Sequence, residues 1–246
     1  MEVEDLGQHI SRRFNEDLES VRSAVLKMGG LVESQFDSAV KALTDGDSEL
    51  GLRVAQDDYK INRAEVSIDE QCSRILATRA PTASDLRLVL AVIKAITDLE
   101  RIGDEAERIG VLASRLAAVE RPSTNYRELR NLASHVKEMI RDTLDAFARL
   151  DAAEALKVVK ADDIVDEEYE SIYRQGITFM MEDPRTISRV MDTTWVARSR
   201  ERIGDHCKNI CEYVMFMVYG KDIRYTQLDT IEREFAHEDS ARERSS

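Results

Sequence analysis

The chain has 246 residues, of which 34% are charged, and its formal net charge at pH 7 is −13. This length accommodates one large domain or two domains of roughly 100–120 residues. The negative charge argues against binding to the phosphate backbone of a nucleic acid. Hydrophobic residues make up 43% of the chain, and there are only 10 glycines and 3 prolines. Such a composition predicts an all-α protein.

We expect neither a secretory leader nor a membrane-spanning segment. The N-terminal residues are acidic, and no stretch approaches the roughly 18 uncharged apolar residues that a span needs. The three cysteines, Cys72, Cys207 and Cys211, are too few for a disulfide framework, which fits a reducing compartment. Cys207 and Cys211 are four residues apart on a predicted helix and are expected to be small core residues.

Apolar residues recur at three- and four-residue spacing along six segments, which predicts six helices. The first begins between residues 11 and 14, after a frayed lead-in, and ends near residue 43. The others cover about 48–78, 83–120, 126–150, 151–181 and 185–219. The three prolines, Pro81, Pro122 and Pro184, all fall at the predicted breaks, as expected for residues that interrupt helices.

The six predicted helices divide into two sets of three. The first set lies in residues 1–122 and the second in 123–222, and a polar C-terminal tail occupies 223–246. Each set can form an antiparallel three-helix bundle with short connections. Gly29 and Gly30 are expected to permit a bend or close helix packing. Trp195 and the pair Met180-Met181 are expected in the core.

The most apolar run of the chain covers residues 213–219, with the sequence YVMFMVY. This run is apolar around nearly the whole helix, so it has two interpretations. One is packing in the core of its own bundle, and the other is a face turned toward a partner chain.

An identical pentapeptide, ERIGD, occurs twice in the chain, at residues 100–104 and 201–205. The 101-residue separation indicates an internal duplication, so we predict two tandem, pseudo-symmetric three-helix bundles. Glu100 and Asp104, like Glu201 and Asp205, are four residues apart and share one face of a helix. Like charges so placed repel each other, which suggests that the arrangement has a use.

The middle helix of each predicted bundle carries a second polar pair at the same spacing. The pairs are Asp58 with Asn62, and Asp162 with Asp166. If the second and third helices run antiparallel, each pair could face the ERIGD carboxylates of its own bundle. Oxygen ligands from two helices would then suit magnesium, calcium, manganese or iron. The alternative is a solvated acidic helix face, with Arg101 and Arg202 close enough to neutralise the charges.

Other catalytic patterns are missing from the sequence. The four histidines do not form the Glu-x-x-His pattern of a ferritin-like di-iron site, and there is no glycine-rich phosphate loop or nucleophile elbow. Two classes of function remain. The first is a non-enzymatic adaptor that acts through helix surfaces. The second is a metal-dependent carboxylate-cluster enzyme or a metal-storage helical protein.

The chain resembles the PhoU family of bacterial phosphate-transport regulators over approximately residues 5–225. The segments that carry the resemblance are 81–89 (PTASDLRLV), 97–104 (TDLERIGD), 180–187 (MMEDPRTI), 201–205 (ERIGD) and 209–213 (NICEY). The resemblance implies tandem three-helix bundles, a cytoplasmic location and a homodimer. It also implies a negative regulator that connects the ATPase subunit of the phosphate ABC transporter with a sensor histidine kinase. Membrane association would then occur only through these partners.

The resemblance further implies metal clusters, of iron or of zinc, magnesium or manganese, at the Glu/Asp-x-x-x-Asp motifs. These motifs map to Glu100 with Asp104 and to Glu201 with Asp205. The members from the middle helices map to Asp58, Asn62, Asp162 and Asp166. Asn62 departs from the acidic pattern and supplies no charge. The second half is therefore expected to bind metal better than the first.

Overall fold

The computed structural model describes residues 3–79, 81–119 and 127–223, with side chains from residue 14 onward. This part of the chain is all-α, as predicted, and contains no strand. It consists of seven α-helices and one 3₁₀ turn at Pro184–Thr186. The helices are α1 (Val3–Asp45), α2 (Ser48–Asp57), α3 (Tyr59–Arg79), α4 (Ala83–Ala117), α5 (Arg127–Arg149), α6 (Ala152–Glu182) and α7 (Ile187–Tyr219).

Aspartates and a glycine define several helix ends. The Asp47 carboxylate accepts the backbone N–H of Leu50 at 2.9 Å and begins α2. The Asp151 carboxylate accepts two backbone N–H groups at 3.0 Å and begins α6. These aspartates satisfy donors that a helix start leaves without partners. Gly220 adopts φ +74° and ends α7, as its C-cap position predicts.

Two boundaries differ from the prediction. Helix α1 begins at Val3, so the predicted frayed lead-in is wrong. The predicted helix at 48–78 is broken at Asp58 into α2 and α3. Asp58 is buried and its carboxylate accepts hydrogen bonds from two side chains, one of them on α1. The residue at this break is therefore a carboxylate, rather than an apolar side chain, inside the bundle. Apolar periodicity alone does not reveal it.

The helices form two bundles that share one continuous core. In the first bundle α1, α3 and α4 pack together and α2 covers α4, while α5, α6 and α7 form the second bundle. The two ERIGD helices, α4 and α7, pack extensively against each other, and α1 also packs against α5. The predicted boundary between bundles at residue 122 and most of the predicted tail lie outside the described residues.

Glycines permit two of the closest helix contacts. A Cβ atom on Gly51 of α2 would lie 2.4 Å from the carbonyl oxygen of Gly110 on α4. A Cβ atom on Gly29 of α1 would lie 2.3 Å from Leu144 Cδ2 on α5. Real Cβ atoms do not approach that closely, so the contact of Gly51 with the α4 backbone depends on the missing side chain. At Gly29 the end of the Leu144 side chain would have to move. The predicted role of Gly29 in close packing is confirmed, whereas Gly30 faces open space.

Several predicted core residues have the expected burial, and others do not. Cys72, Cys207 and Cys211 are buried free thiols, as expected. Within the run at 213–219, Val214 and Met215 are fully buried and the other five residues are partly buried, four of them packed against the core. Core packing is therefore confirmed for Val214 and Met215, and the interpretation of this run as a face turned toward a partner chain stays a prediction. None of the described helices combines the length and the apolar composition that crossing a bilayer requires.

Candidate functional site

Three carboxylates of the first bundle converge on one point. Oxygen atoms of Asp58, Asp104 and Glu107 lie within 4.8 Å of one another, and Asp58 is buried. Asp58 comes from the break between α2 and α3, whereas Asp104 and Glu107 come from one face of α4. The predicted meeting of Asp58 with Asp104 is therefore confirmed. Glu107 was not predicted.

Two amide side chains orient the Asp58 carboxylate. Gln35 on α1 donates from Nε2 to Oδ1 at 3.0 Å, and Asn62 on α3 donates from Nδ2 to Oδ2 at 3.1 Å. Gly103, from the first ERIGD segment, makes room for this arrangement. A Cβ atom there would lie 3.3 Å from both Asp58 Oδ1 and Gln35 Oε1. In this geometry Asn62 orients Asp58 by donating a hydrogen bond.

Gln35 leaves one polar atom without a hydrogen-bond partner among the described residues. Its side-chain oxygen Oε1 is buried, Gln35 is only 8% exposed, and the atom lies beside Gly103 and Asp58. A buried acceptor without a donor is costly, and a bound cation would satisfy it. Three carboxylates with a nearby amide oxygen form a hard-oxygen donor set of the kind that manganese, magnesium and iron accept. The residues present therefore fit a metal ion.

The surroundings of this cluster make it unfavourable for the carboxyl groups to be ionised together. Burial, followed by the charge of Asp58, raises the pKa of Asp104 and of Glu107 above its ordinary value. Burial, followed by the charge of Asp104, likewise raises the pKa of Glu100. Arg101 lies 3.5 Å from Glu100 and 3.6 Å from Asp104, and it partly compensates both. Glu100 is one helical turn from Asp104 and lies outside the group of three.

The four predicted carboxylates of the second bundle also lie near one another, but basic side chains of the protein pair with some of them. Burial is the largest cause that raises the pKa of Asp166 and Asp205, and the charge of Asp162 comes second for both. Asp162 is only 1% exposed, and its Oδ2 accepts a hydrogen bond from Lys208 Nζ at 2.8 Å. Among the described residues, no three carboxylates of this bundle meet as closely as those at Asp58.

Glu201 is the most strongly perturbed carboxyl group of this second set. Burial, together with the charges of Asp205, Asp166 and Asp162, raises its pKa to about 7, although its partner Arg198 opposes the change. One of its oxygens, Oε2, is buried without a hydrogen-bond partner in the described part of the chain. The carboxyl group therefore titrates near neutral pH, which a solvated helix face would not produce.

Buried polar contacts join the two bundles along α4 and α7. The Asp98 Oδ1 atom lies 2.7 Å from His206 Nδ1 and accepts a hydrogen bond from Asn209 Nδ2 at 3.0 Å. The buried carboxylate of Glu105 lies 3.0 Å from Arg202 Nε and also pairs with Arg108. The ERIGD arginine of the second repeat thus contacts the first repeat instead of its own carboxylates.

Sequence reasoning did not predict three participants of these sites, Gln35, Glu107 and Lys208. Gln35 has no signal in the sequence, because it comes from a helix that carries no repeated motif. Glu107 and Lys208 do have a signal in the sequence. They follow Asp104 and Asp205 by three residues and are 101 residues apart, which is the period of the duplication.

A pair of exposed apolar stripes flanks the turn between α6 and α7. We call these six side chains the hairpin surface, and its members are Tyr173, Ile177 and Met181 on α6 and Ile187, Met191 and Trp195 on α7. In each helix the members are four residues apart and so share a face. The prediction that Trp195 and Met181 are core residues is wrong, because they are 49% and 79% exposed.

The chain is similar to known proteins in both sequence and fold. A family model described as the PhoU domain matches residues 25–113 and 129–214. The phosphate-specific transport system accessory protein PhoU homolog of Pseudomonas aeruginosa is 49% identical over 231 residues, which cover 94% of this chain and 96% of the relative. The phosphate-specific transport system accessory protein PhoU of Escherichia coli is 46% identical over 244 residues, with coverage of 98% and 99%.

Two solved structures have a similar fold. The crystal structure of PhoU from Pseudomonas aeruginosa is 50% identical, with a TM-score of 0.82, and the match covers 85% of this chain and 100% of that one. The structure of the phosphate transport system regulatory protein PhoU from Streptococcus pneumoniae is 27% identical, with a TM-score of 0.79 and coverage of 85% and 98%.

Proposed function

The chain belongs to the PhoU family, and from that premise we propose that it is a cytoplasmic accessory protein of a phosphate transport system. In this proposal the protein is a non-enzymatic adaptor that acts as a homodimer. It contacts the ATPase subunit of the phosphate ABC transporter and the sensor histidine kinase of the phosphate regulon. Through both contacts it restrains phosphate uptake and keeps the phosphate-starvation response off.

The observation that carries this proposal is the extent of the similarity. The chain matches proteins named as phosphate-transport accessory proteins over both bundles and at almost half identity. A match over nearly the full length of both proteins supports a common role better than a shared motif does. The sequence adds support, because it lacks a paired nucleophile and base and lacks a phosphate-binding loop.

The hairpin surface is the region that we assign to contact with the transporter ATPase subunit. Its six large apolar side chains are each at least 38% exposed. Contiguous apolar patches mark interaction sites in monomeric proteins, and these side chains come from two helices that pack against each other. Two methionines among them give the surface the adaptability of a contact that forms and dissociates.

Affinity capture from membranes tests the adaptor proposal directly. The tagged full-length protein is used as bait on detergent-solubilised membranes of phosphate-replete cells, and the captured proteins are identified by mass spectrometry. We expect the transporter ATPase subunit and the sensor kinase. Recovery of neither by a folded bait would contradict the proposal. Met191→Glu on the hairpin surface should lose the ATPase subunit, whereas Val66→Glu, an exposed apolar position on α3, should retain it.

We also propose that the first bundle binds a metal ion at the cluster of Asp58, Asp104 and Glu107. The convergence of three carboxylates and the buried, unpartnered Gln35 oxygen support this site. Manganese, magnesium and iron fit the donors, and the ion would offset the mutual repulsion of the carboxylates. The same observation favours the alternative function, a metal-storage or metal-dependent protein. Turnover of a phosphate ester by the metal-loaded protein would favour that alternative.

A further inference from the structure

We infer that Lys208 is a built-in counter-ion of the second acidic cluster, so that this bundle holds its carboxylates together without a metal ion. The inference rests on the proposed metal site of the first bundle. According to this inference, the two repeats compensate the mutual repulsion of their carboxylates in different ways. In the first repeat Arg101 reaches Asp104 at 3.6 Å, but the buried Asp58 has only neutral amide partners among the described residues. In the second repeat Lys208 pairs with the buried Asp162 itself.

The two repeats present their clusters in the same register. A Cβ atom on Gly103 would lie 3.3 Å from Asp58 Oδ1, and one on Gly204 would lie 3.2 Å from Asp162 Oδ1. Each ERIGD glycine therefore faces a buried aspartate of its own bundle. Asp58 and Asp162 are equivalent in space, which the pentapeptide alone does not establish.

The residue that follows each ERIGD motif by three positions then differs in charge. In the first repeat it is Glu107, which contributes the third carboxylate of the cluster with Asp58 and Asp104. In the second repeat it is Lys208, whose ammonium lies 2.8 Å from Asp162 Oδ2. A negative and a positive charge thus occupy the equivalent place beside an equivalent aspartate.

Burial makes this ammonium an effective substitute for a metal ion. Asp162 is almost fully buried, so its negative charge needs a close partner. Lys208 supplies that partner at Oδ2, whereas Oδ1 has no hydrogen-bond partner among the described residues. Lys208 Nζ donates a hydrogen bond to Asp162 Oδ2 at 2.8 Å, so the ammonium and the buried carboxylate form a close ion pair. In the same cluster, Arg198 pairs with Glu201.

The two cations also exclude a metal ion from the second cluster. A metal ion and the ammonium would compete for Asp162 Oδ2, and their like charges would repel each other at that distance. In the first cluster, Asp58 accepts only amide donors among the described residues, and these are neutral. A metal ion that approaches Asp58 is therefore not repelled by the hydrogen-bond partners of that carboxylate.

A charge exchange between the repeats tests the inference. The full-length wild type, Lys208→Glu, Glu107→Lys and the double variant are equilibrated with Mn²⁺ and dialysed, and bound manganese is measured by elemental analysis. Lys208→Glu should increase bound manganese about two-fold, because the second cluster then matches the first. Glu107→Lys should lose it, and the double variant should recover the wild-type amount. Wild-type manganese that persists in Glu107→Lys and is lost in Asp162→Asn would overturn the inference.

Thermal melting tests Lys208 independently of the first site. With a chelator present, Lys208→Met should melt at a lower temperature than the wild type, and Mn²⁺ should restore its melting temperature. The matched control is Lys157→Met on α6, because Lys157 also pairs with a carboxylate but is 72% exposed. Equal melting of the two variants, without an effect of Mn²⁺, would overturn the inference. A wild type that binds no manganese, together with restored melting of Lys208→Met, would overturn only the first-bundle metal site.

Discussion

Arg202 of the second repeat lies 3.0 Å from the buried carboxylate of Glu105 in the first repeat. Arg101 occupies the equivalent position in the first repeat, but it pairs with Glu100 and Asp104 on its own helix. One motif thus has two roles. In α4 its arginine compensates nearby carboxylates, and in α7 the same residue type joins the two bundles.

We predict that Arg202→Ala destabilises the protein more than Arg101→Ala does. Removal of Arg202 leaves the buried Glu105 with Arg108 alone, and we expect a loss of roughly 1 kcal/mol, reduced because Arg202 is partly exposed. Arg101→Ala should change the free energy of unfolding by less than about 0.5 kcal/mol, because the Arg101 side chain is 56% exposed and its two ion pairs are long. Urea denaturation measures both. Equal losses of unfolding free energy in the two variants would show that the contact between Arg202 and Glu105 adds nothing to stability.

Gly51→Ala should destabilise the protein, because the new methyl group would collide with the Gly110 carbonyl oxygen on α4. Backbone cannot move aside as a side chain can, so we expect a cost of about 2 kcal/mol or more. Gly30→Ala is the control. Open space surrounds Gly30 within helix α1, so alanine there should stabilise by about 0.5–1 kcal/mol. Thermal unfolding distinguishes the two, and a stable Gly51→Ala variant would contradict the contact.

Glu201→Gln should stabilise the protein at neutral and alkaline pH. The pKa of Glu201 rises from 4.5 to about 7 on folding, so the folded state binds more protons between these values. Stability from this group is therefore greatest below pH 4.5 and is lost as the pH rises to about 7. The glutamine variant avoids that loss and should gain up to about 3 kcal/mol above pH 7.

The check on this prediction is a comparison of wild type and Glu201→Gln across the pH range. Urea denaturation at several values between pH 4 and 8, with a chelator present, gives the difference in unfolding free energy. The advantage of the variant should grow with pH and become constant above about pH 8. A difference that does not depend on pH would contradict the raised pKa.

Asn62→Asp should lower the stability of the metal-free protein and raise the affinity of the first cluster for a metal ion. In the wild type, Asn62 donates a hydrogen bond to Asp58 Oδ2. An aspartate cannot donate when ionised, and it adds a negative charge beside a buried carboxylate, so the metal-free protein should lose about 1–2 kcal/mol. The additional charge should raise the affinity for Mn²⁺ about ten-fold. Titration calorimetry measures the affinity, and an unchanged value would place Asn62 outside the metal site.

Much of the fold could be predicted because helix signals are local. Apolar spacing and the prolines located most of the helices, since both act within a few residues of the chain. The break at Asp58 could not be found in this way, because it is stabilised by Gln35 on a different helix. Trp195 and Met181 were misassigned because residue type does not tell which face of a helix remains uncovered.

The candidate sites, like the fold, could be predicted in part from the sequence. The sequence by itself determined the helical class, the duplication and the pairs of carboxylates that share a helix face, because these depend on spacing within one helix. Only the tertiary structure decided which groups meet across helices. It confirmed the predicted meeting of Asp58 with Asp104, added Glu107 and Gln35 to it, and placed the ammonium of Lys208 on Asp162. The reason is physical: the charge balance of a buried cluster depends on distance and burial, and residues far apart in the chain supply both.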